Sequence, residues 1–265
     1  MSNNITRSGI NKCIFLAVTE VKMNLSLNTI NILQEHKCSY INNGYVKVSN
    51  ILSENSANMI HSAISKQKQW NLVFRNKGHH QDLNNVEVKH WDKTQQENLI
   101  NIIHSKASID FQYFYETIPI YDIYYDRSLS GHFFNDIFHF LNSEDTLNFF
   151  RELLDAPEIS FLDAQITRFS AGHFLNCHND DVKGKNRVAA FVINLTKDWR
   201  PDWGGALHIL NKELEIEKSF IPSFNEVNIF KVPVDHFVGI VAPFTSASRL
   251  SITGWFRSGK NPKKC

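Results

Sequence analysis

Two histidines and one aspartate in the C-terminal third of the chain have the types and spacing of a metal centre. His178 and Asp180 form a His-x-Asp pair, and His236 follows 58 residues after the first histidine. Two imidazoles and one carboxylate can hold one face of a non-haem iron(II) ion and leave the opposite face open for reaction. The alternative for each residue alone is an ordinary surface or turn position, so the prediction of a metal site depends on the combination.

Arg249 and Ser251 follow the second histidine, in a segment whose polar residues share one face of a predicted strand. A guanidinium presents a rigid fork of donors that matches a carboxylate. We therefore predict that Arg249 binds a dicarboxylate co-substrate and that the Ser251 hydroxyl reaches the same carboxylate. The alternative for Arg249 is a surface ion pair, a contact worth less than about 1 kcal/mol.

From residue 161 onward the sequence alternates between apolar and polar residues in short runs separated by turn residues. This pattern predicts seven strands: Phe161–Phe169, Phe174–His178, Arg187–Thr196, Ala206–Leu210, Asn225–Val232, Phe237–Val241 and Ser248–Phe256. So many short strands at nearly regular spacing favour a β-sandwich or jelly roll. The predicted metal ligands and Arg249 all lie on or beside these strands.

Helical periodicity is confined to the N-terminal part of the chain. We predict helices within Ser53–Lys68, within Gln95–His104 and twice within 135–154, the last one capped by Ser143, together with extended segments at Gly44–Ile51 and Trp70–Phe74. The fold class expected is mainly β with flanking helices (α+β), with a double-stranded β-helix (jelly roll, cupin-like) core at about 161–257 that the helices buttress. Residues 1–42 are expected to be an N-terminal extension, and 43–265 a single domain.

Composition limits the classes of partner. Formal net charge is +1 from 28 basic and 27 acidic residues, so no basic field for nucleic acid is expected. No apolar run is long enough for a membrane span. The four cysteines, at positions 13, 38, 177 and 265, show no CxxC spacing, which favours a reducing, cytoplasmic location without a disulfide framework. The sequence does not indicate an oligomeric state.

The sequence resembles the prolyl-4-hydroxylase-like 2-oxoglutarate/iron(II) dioxygenases, and within them most closely the ribosomal-protein prolyl hydroxylase branch. The resemblance lies in His178-Asn-Asp180, Arg187-Val-Ala-Ala-Phe-Val-Ile-Asn-Leu, Gly204-Gly-Ala-Leu, His236 and Arg249-Leu-Ser-Ile-Thr-Gly-Trp-Phe. It covers about residues 161–257, and the upstream segment around Phe111 is similar to that branch as well.

The resemblance implies iron(II), 2-oxoglutarate and O2 as cofactor and co-substrates, with ascorbate expected to stimulate the reaction. His178, Asp180 and His236 would be metal ligands, and these three with Arg249 would be the catalytic residues. It further implies hydroxylation of an unactivated C–H bond, most consistently in a prolyl residue of a protein or peptide. The alternatives are hydroxylation of a free amino acid or a natural-product intermediate and, in another class, a non-catalytic metal-binding jelly-roll module.

The chain departs from the resemblance at two positions. Many relatives have tyrosines that hydrogen-bond 2-oxoglutarate where this chain has Phe169 and Asn194. An asparagine amide can still donate to a carboxylate, whereas phenylalanine can only pack. We therefore expect Asn194, together with Gln165 and Thr167 on the strand that ends at Phe169, to contribute to co-substrate binding.

Several other residues are of types that could contact a substrate. His79, His80 and a group of tyrosines could form a substrate lid, or they could serve packing. The tyrosines are Tyr113, Tyr115, Tyr121, Tyr124 and Tyr125. Arg187 and Cys177 flank the predicted site in sequence. We expect a solvated turn arginine and a buried thiol there, respectively.

Overall fold

The computed structural model describes residues 22–28, 34–129 and 131–264. The helices are α1 (Gln34–Asn43), α2 (Glu54–Ser65), α3 (Asn85–Lys89), α4 (Lys93–Ala107), α5 (Ile120–Tyr125), α6 (Phe133–Leu141), α7 (Glu144–Leu154) and a 3-10 turn at Pro201–Trp203. The strands are β1 (Tyr45–Ser49), β2 (Asn71–Asn76), β3 (His79–Asn84), β4 (Tyr113–Ile118), β5 (Ile159–Phe169), β6 (Phe174–His178), β7 (Arg187–Asn194), β8 (Leu207–Leu210), β9 (Ile216–Phe220), β10 (Glu226–Lys231), β11 (His236–Val238) and β12 (Arg249–Ser258).

The strands form one curled antiparallel sheet in the order β1-β10-β7-β12-β5-β4-β6-β11-β8-β9, with β2 and β3 added beside β4. The sheet turns at β4, where Glu116–Ile118 pair with β5 while Tyr113 and Phe114 pair with β6. The strands on either side of this turn form the two walls of a jelly roll. The expected mainly β, jelly-roll fold class is confirmed.

Strand β12 shows how the sheet separates an apolar core from a polar interior. Successive side chains of a strand point to opposite faces. Leu250, Ile252 and Phe256 are buried in the main core, which also contains apolar residues of α2, α6 and α7. Arg249 and Trp255, on the other face, line a cavity between the two walls. Fully burying one large apolar side chain stabilises the fold by about 1.5–3 kcal/mol, so the helix-covered face anchors the strand that carries Arg249.

Helix α7 illustrates why these helices begin where they do. The Ser143 side chain accepts a hydrogen bond from the backbone N–H of Thr146, satisfying one of the unpaired donors of the first turn. Leu147, Phe150 and Leu154 are buried along one stripe of the helix. The predicted cap and the predicted apolar stripe are both confirmed.

Each of the seven predicted strands overlaps a strand of the structure, and the predicted helices correspond to α2, α4, α6 and α7. Strand β9 was not predicted because four of its five residues are exposed and so lack apolar alternation. Helix α1 was not predicted either, and it packs beside β1 with Tyr40 buried. The boundary at 42/43 stays a prediction, since residues 1–21 and 29–33 lie outside the described residues.

Among the helices of the described residues, none has the length and apolar character that crossing a membrane requires.

Candidate metal and co-substrate site

Neighbouring strands bring the two histidines of the sequence motif face to face. His178 is the last residue of β6, His236 is the first of β11, and the two are paired directly. Their ring centroids lie 4.2 Å apart. Asp180 lies two residues beyond β6, with Oδ1 3.4 Å from His178 Nε2 and Oδ2 3.5 Å from His236 Nε2. One ligand atom of each residue lies within 4.8 Å of the other two, a spacing that a single metal ion can bridge.

Backbone carbonyls orient both imidazoles. His178 Nδ1 lies 2.9 Å from the carbonyl oxygen of Asn176, and His236 Nδ1 lies 2.8 Å from that of Val234. A carbonyl accepts only from a protonated nitrogen, so each Nδ1 carries the proton and each Nε2 keeps its lone pair. The lone pairs face the Asp180 carboxylate. This is the tautomer and orientation that a metal-binding histidine needs.

Side chains of β12 and β7 hold Asp180 in position. Trp255 Nε1 donates a 2.8 Å hydrogen bond to Asp180 Oδ2. Arg187 Nη1 donates to the Asp180 carbonyl oxygen at 2.8 Å, and the Arg187 guanidinium lies 3.5 Å from the centroid of the Trp255 ring. The backbone of Asp180 is in the left-handed region, with φ of 62°. Arg187 was expected to be solvated, and this was wrong, because its side chain is only 12% exposed.

The protonation states of Asp180 and His236 suit metal binding. Burial alone would raise the pKa of Asp180, but its contacts with the two imidazoles and the hydrogen bond from Trp255 lower it to about 2. Burial and the neighbouring His178 lower the pKa of His236 to about 4. At neutral pH the carboxylate is therefore ionised and the His236 imidazole is neutral. Metal binding requires both of these forms.

The triad opens into a cavity of about 610 Å³ between the two walls of the jelly roll. Arg249, Gln165 and Thr167 contribute polar groups to its lining. Its aromatic lining residues are Phe111, Tyr113, Tyr115, Phe169, Phe230 and Trp255. Exposed residues such as His80 and Val182 also line it, so the cavity opens to solvent beside the metal ligands.

Arg249 is 2% exposed, and burial lowers its pKa to about 10, so it remains charged at neutral pH. Its Nε has no hydrogen-bond partner, and no ion pair joins it to any carboxylate of the described residues. The ring of Phe169 lies 5.4 Å from the guanidinium carbon. A buried charge without a counter-ion is costly. The site is therefore complete only when an anion pairs with Arg249.

The other residues predicted to bind the co-substrate divide into two pairs. Gln165 and Thr167 line the cavity. Ser251 lies behind Thr167, fully buried, with the two hydroxyl oxygens 3.0 Å apart. Asn194 is buried beside Ser251 on β7, and its amide donates to the Glu226 carbonyl at 3.4 Å. Contact of these four residues with a co-substrate stays a prediction.

The tyrosines of the predicted lid lie in two different parts of the structure. Tyr113 and Tyr115 line the cavity, and the Tyr113 hydroxyl lies 2.6 Å from Nδ1 of His80 on the neighbouring hairpin. The remaining tyrosines belong to α5 and pack against Phe138, Tyr124 by stacking and the other two edge-on: Tyr121, Tyr124 and Tyr125. Cys177 is exposed, so the expected buried thiol was wrong.

Sequence reasoning placed Trp255 on the arginine's face but missed its hydrogen bond to Asp180, and it considered Tyr115 only as a residue of a substrate lid. Trp255 lies within the quoted Arg249 motif, six residues beyond the arginine, and strand parity places it on the arginine's face. That parity was the available signal for Trp255. Tyr115 comes from β4, far upstream in sequence, and only the sheet topology brings it to the cavity.

The donor set fits an iron(II) ion. Two imidazoles and a carboxylate on one side of an open cavity are typical of non-haem iron(II) sites. The buried and unpaired Arg249 fits a dicarboxylate in the same cavity.

Comparisons with known proteins agree with this chemistry. Residues 164–257 match the sequence profile of a family described as the 2OG-Fe(II) oxygenase superfamily. No curated protein sequence matches the chain.

Solved structures share the fold over most of the chain. An oxidoreductase of the 2OG-Fe(II) oxygenase family from Burkholderia pseudomallei superposes with a TM-score of 0.56 at 13% identity, covering 89% of this chain and 96% of that one. A Pseudomonas putida prolyl-4-hydroxylase gives 0.53 at 15% identity, covering 85% and 98%. The non-haem α-ketoglutarate-dependent epimerase SnoN from nogalamycin biosynthesis gives 0.53 at 10% identity, covering 87% and 86%.

At these identities the solved structures establish the fold, and the family profile addresses the segment that carries the triad and Arg249. The segment with the triad and Arg249 is therefore similar in sequence to the 2OG-Fe(II) oxygenase superfamily, and the similarity over the rest of the chain is one of fold.

Proposed function

We propose that this protein is an iron(II)- and 2-oxoglutarate-dependent dioxygenase that hydroxylates a prolyl residue of a protein or peptide. His178, Asp180 and His236 would hold the iron, and Arg249 would pair with the distal carboxylate of 2-oxoglutarate. The observation that carries the proposal is a buried, unpaired Arg249 lining the same cavity as the triad. A metal site that served only stability would not need this second, anion-binding group.

The residues of the site have distinct tasks in such a reaction. Bound iron(II) would supply the activation of O2, coupled to conversion of 2-oxoglutarate to succinate and carbon dioxide. Trp255 and Arg187 hold Asp180 in place, and the backbone carbonyls fix the two imidazoles. The aromatic side chains of the cavity wall would exclude water once a substrate fills the opening. The presence of Asp180, a third protein ligand, favours hydroxylation.

Two features support a prolyl substrate within a chain. The cavity opens to solvent beside the triad, so one residue of a longer peptide could enter while its neighbours remain outside. One structural neighbour is described as a prolyl-4-hydroxylase. Another belongs to nogalamycin biosynthesis, which keeps a free amino acid or a natural-product intermediate as the competing substrate class.

The test is incubation of the purified protein with iron(II), ascorbate and 2-oxoglutarate, in the presence of a panel of prolyl peptides and free amino acids. Mass spectrometry should detect one added oxygen on a prolyl peptide and an equivalent amount of succinate. A product on a free amino acid instead would favour the small-molecule alternative.

Variants connect that activity to the site. His178→Ala and Asp180→Ala should each abolish 2-oxoglutarate turnover, because each removes a metal ligand. His208→Ala is the matched control, since His208 lies on β8 beside the same strand β11 but outside the triad. Unimpaired turnover in the triad variants would refute the metal assignment.

A further inference from the structure

Tyr115 lines the same cavity as the metal triad and the buried arginine. Alternation along β4 places it on the face that points into the jelly roll, together with Tyr113 and Thr117, and it lines the cavity. Its ring stacks on Phe169 with a centroid distance of 4.9 Å and an interplanar angle of 10°. Phe169 is also the ring nearest the Arg249 guanidinium and is paired with Arg249 across the strands.

The environment of the Tyr115 hydroxyl makes it a hydrogen-bond donor. Burial raises the pKa of Tyr115, a hydrogen bond with Gln165 lowers it, and the charge of Asp180 raises it. The Gln165 carbonyl oxygen already accepts from Thr117 Oγ1 at 2.9 Å, and its amide N–H groups are the donors that it can offer to the Tyr115 oxygen. The phenolic proton remains available to a ligand in the cavity.

Neighbouring groups on this wall are already engaged or have no donor. The Thr167 hydroxyl is hydrogen-bonded to Ser251, and the Tyr113 hydroxyl is in contact with His80. Phe169 presents only a ring. Of the hydroxyl groups on this wall, the one of Tyr115 is therefore open to a ligand of the cavity, and the charge of Asp180 acts on it by raising its pKa.

We propose that the Tyr115 hydroxyl donates a hydrogen bond to the keto-acid end of 2-oxoglutarate, while Arg249 pairs with the opposite carboxylate. This inference rests on the proposed function. In this scheme a phenol from β4 orients the co-substrate. The sequence pattern had instead predicted co-substrate contacts for Gln165, Thr167, Asn194 and Ser251. Tyr115 is a binding and orienting residue in this scheme, and it takes no proton from the substrate.

The test is calorimetric titration of 2-oxoglutarate into the iron(II)-loaded protein under argon, where no turnover occurs. Tyr115→Phe keeps the ring that stacks on Phe169 and removes only the hydroxyl. We expect its dissociation constant for 2-oxoglutarate to rise about tenfold, because a hydrogen bond to a charged ligand is lost. Tyr121→Phe is the control: it removes a hydroxyl that bonds Asn261 outside the cavity, and it should bind like the wild type.

Succinate separates a contact with the keto-acid end from general damage to the site. It keeps a carboxylate for Arg249 but lacks the keto acid. Tyr115→Phe should weaken 2-oxoglutarate binding and leave succinate binding unchanged, whereas Arg249→Lys should weaken both.

Two results would overturn this inference: equal 2-oxoglutarate affinity in Tyr115→Phe and wild type, or equal losses for both ligands. If the wild type itself does not bind 2-oxoglutarate in the presence of iron(II), the proposed function is wrong and the inference falls with it.

Discussion

The guanidinium of Arg249 is a buried charge that pairs with no carboxylate of the described residues. Replacing it with lysine keeps the charge but substitutes a point-like ammonium for a planar fork of donors. We expect Arg249→Lys to raise the 2-oxoglutarate concentration needed for half-maximal turnover by at least about tenfold, through loss of one charge-assisted hydrogen bond. An unchanged requirement, measured from succinate formation, would argue that the co-substrate lies elsewhere.

Trp255 acts on the metal through Asp180. Trp255→Phe keeps an aromatic ring beneath Arg187 and removes the indole N–H that bonds the carboxylate. Loss of such an outer contact typically costs about 10–100-fold in metal affinity, and we expect a change of this size for manganese(II) or iron(II) binding by calorimetry. Trp91→Phe, outside the cavity, should bind metal like the wild type, and identical affinities in all three proteins would exclude this role.

Sequence reasoning predicted the residues whose types and spacing are typical of a metal and co-substrate site. The pair His178-x-Asp180, His236 and Arg249 could be brought together because each lies at a recognisable place on a predicted strand. Trp255 and Tyr115 act through contacts across the sheet, and a single sequence does not state which strands are neighbours. For the same reason the contacts of Arg187 were missed.

At the scale of elements, the close approach of β12 and β5 depends on Gly254. A Cβ at this position would overlap the carbonyl oxygen of Asp163 and lie 2.9 Å from the Ala164 Cα. Gly254→Ala must therefore push the two strands apart, and we expect it to destabilise the fold by about 1–3 kcal/mol. Urea unfolding measures this loss.

Gly239→Ala is the comparison for that variant. Its added Cβ would meet the end of the His208 side chain at 3.2 Å, and that side chain can move where a backbone carbonyl cannot. A loss in Gly254→Ala no larger than the loss in Gly239→Ala would contradict the close-approach argument.

The elements that could be predicted are those whose apolar pattern reports their burial. Strands β5, β7, β10 and β12 alternate or run apolar because one or both faces pack against other residues. The edge strand β9 exposes almost every side chain. The apolar pattern of its sequence therefore does not indicate that it pairs with β8. Helix α1 likewise buries only Tyr40 among its ten residues.

At the scale of the whole molecule, the burial of His236 couples stability to pH. The folded protein protonates His236 only near pH 4, whereas the unfolded chain does so near 6.5. Between these values the unfolded state binds more protons than the folded state. The free energy of unfolding therefore falls as the pH is lowered from about 6.5 toward 4. The low pKa of Asp180 adds a further loss in the same direction below about 3.9.

We expect the metal-free wild type to lose about 2–3 kcal/mol more than His236→Gln on going from pH 6.5 to 4.5, from the shift of this one histidine. Urea unfolding at the two pH values gives the difference. Parallel losses in the two proteins would show that His236 is not the group responsible.

The left-handed backbone at Asp180 favours a different residue from the one that metal binding needs. Glycine adopts a φ of +62° without the penalty of roughly 1 kcal/mol that a side chain incurs there, so folding alone would favour glycine. The aspartate therefore supplies a carboxylate to the triad at a cost to the stability of the fold. Asp180→Gly should therefore be a better-tolerated inactive variant than Asp180→Ala, with a higher melting temperature and the same loss of turnover.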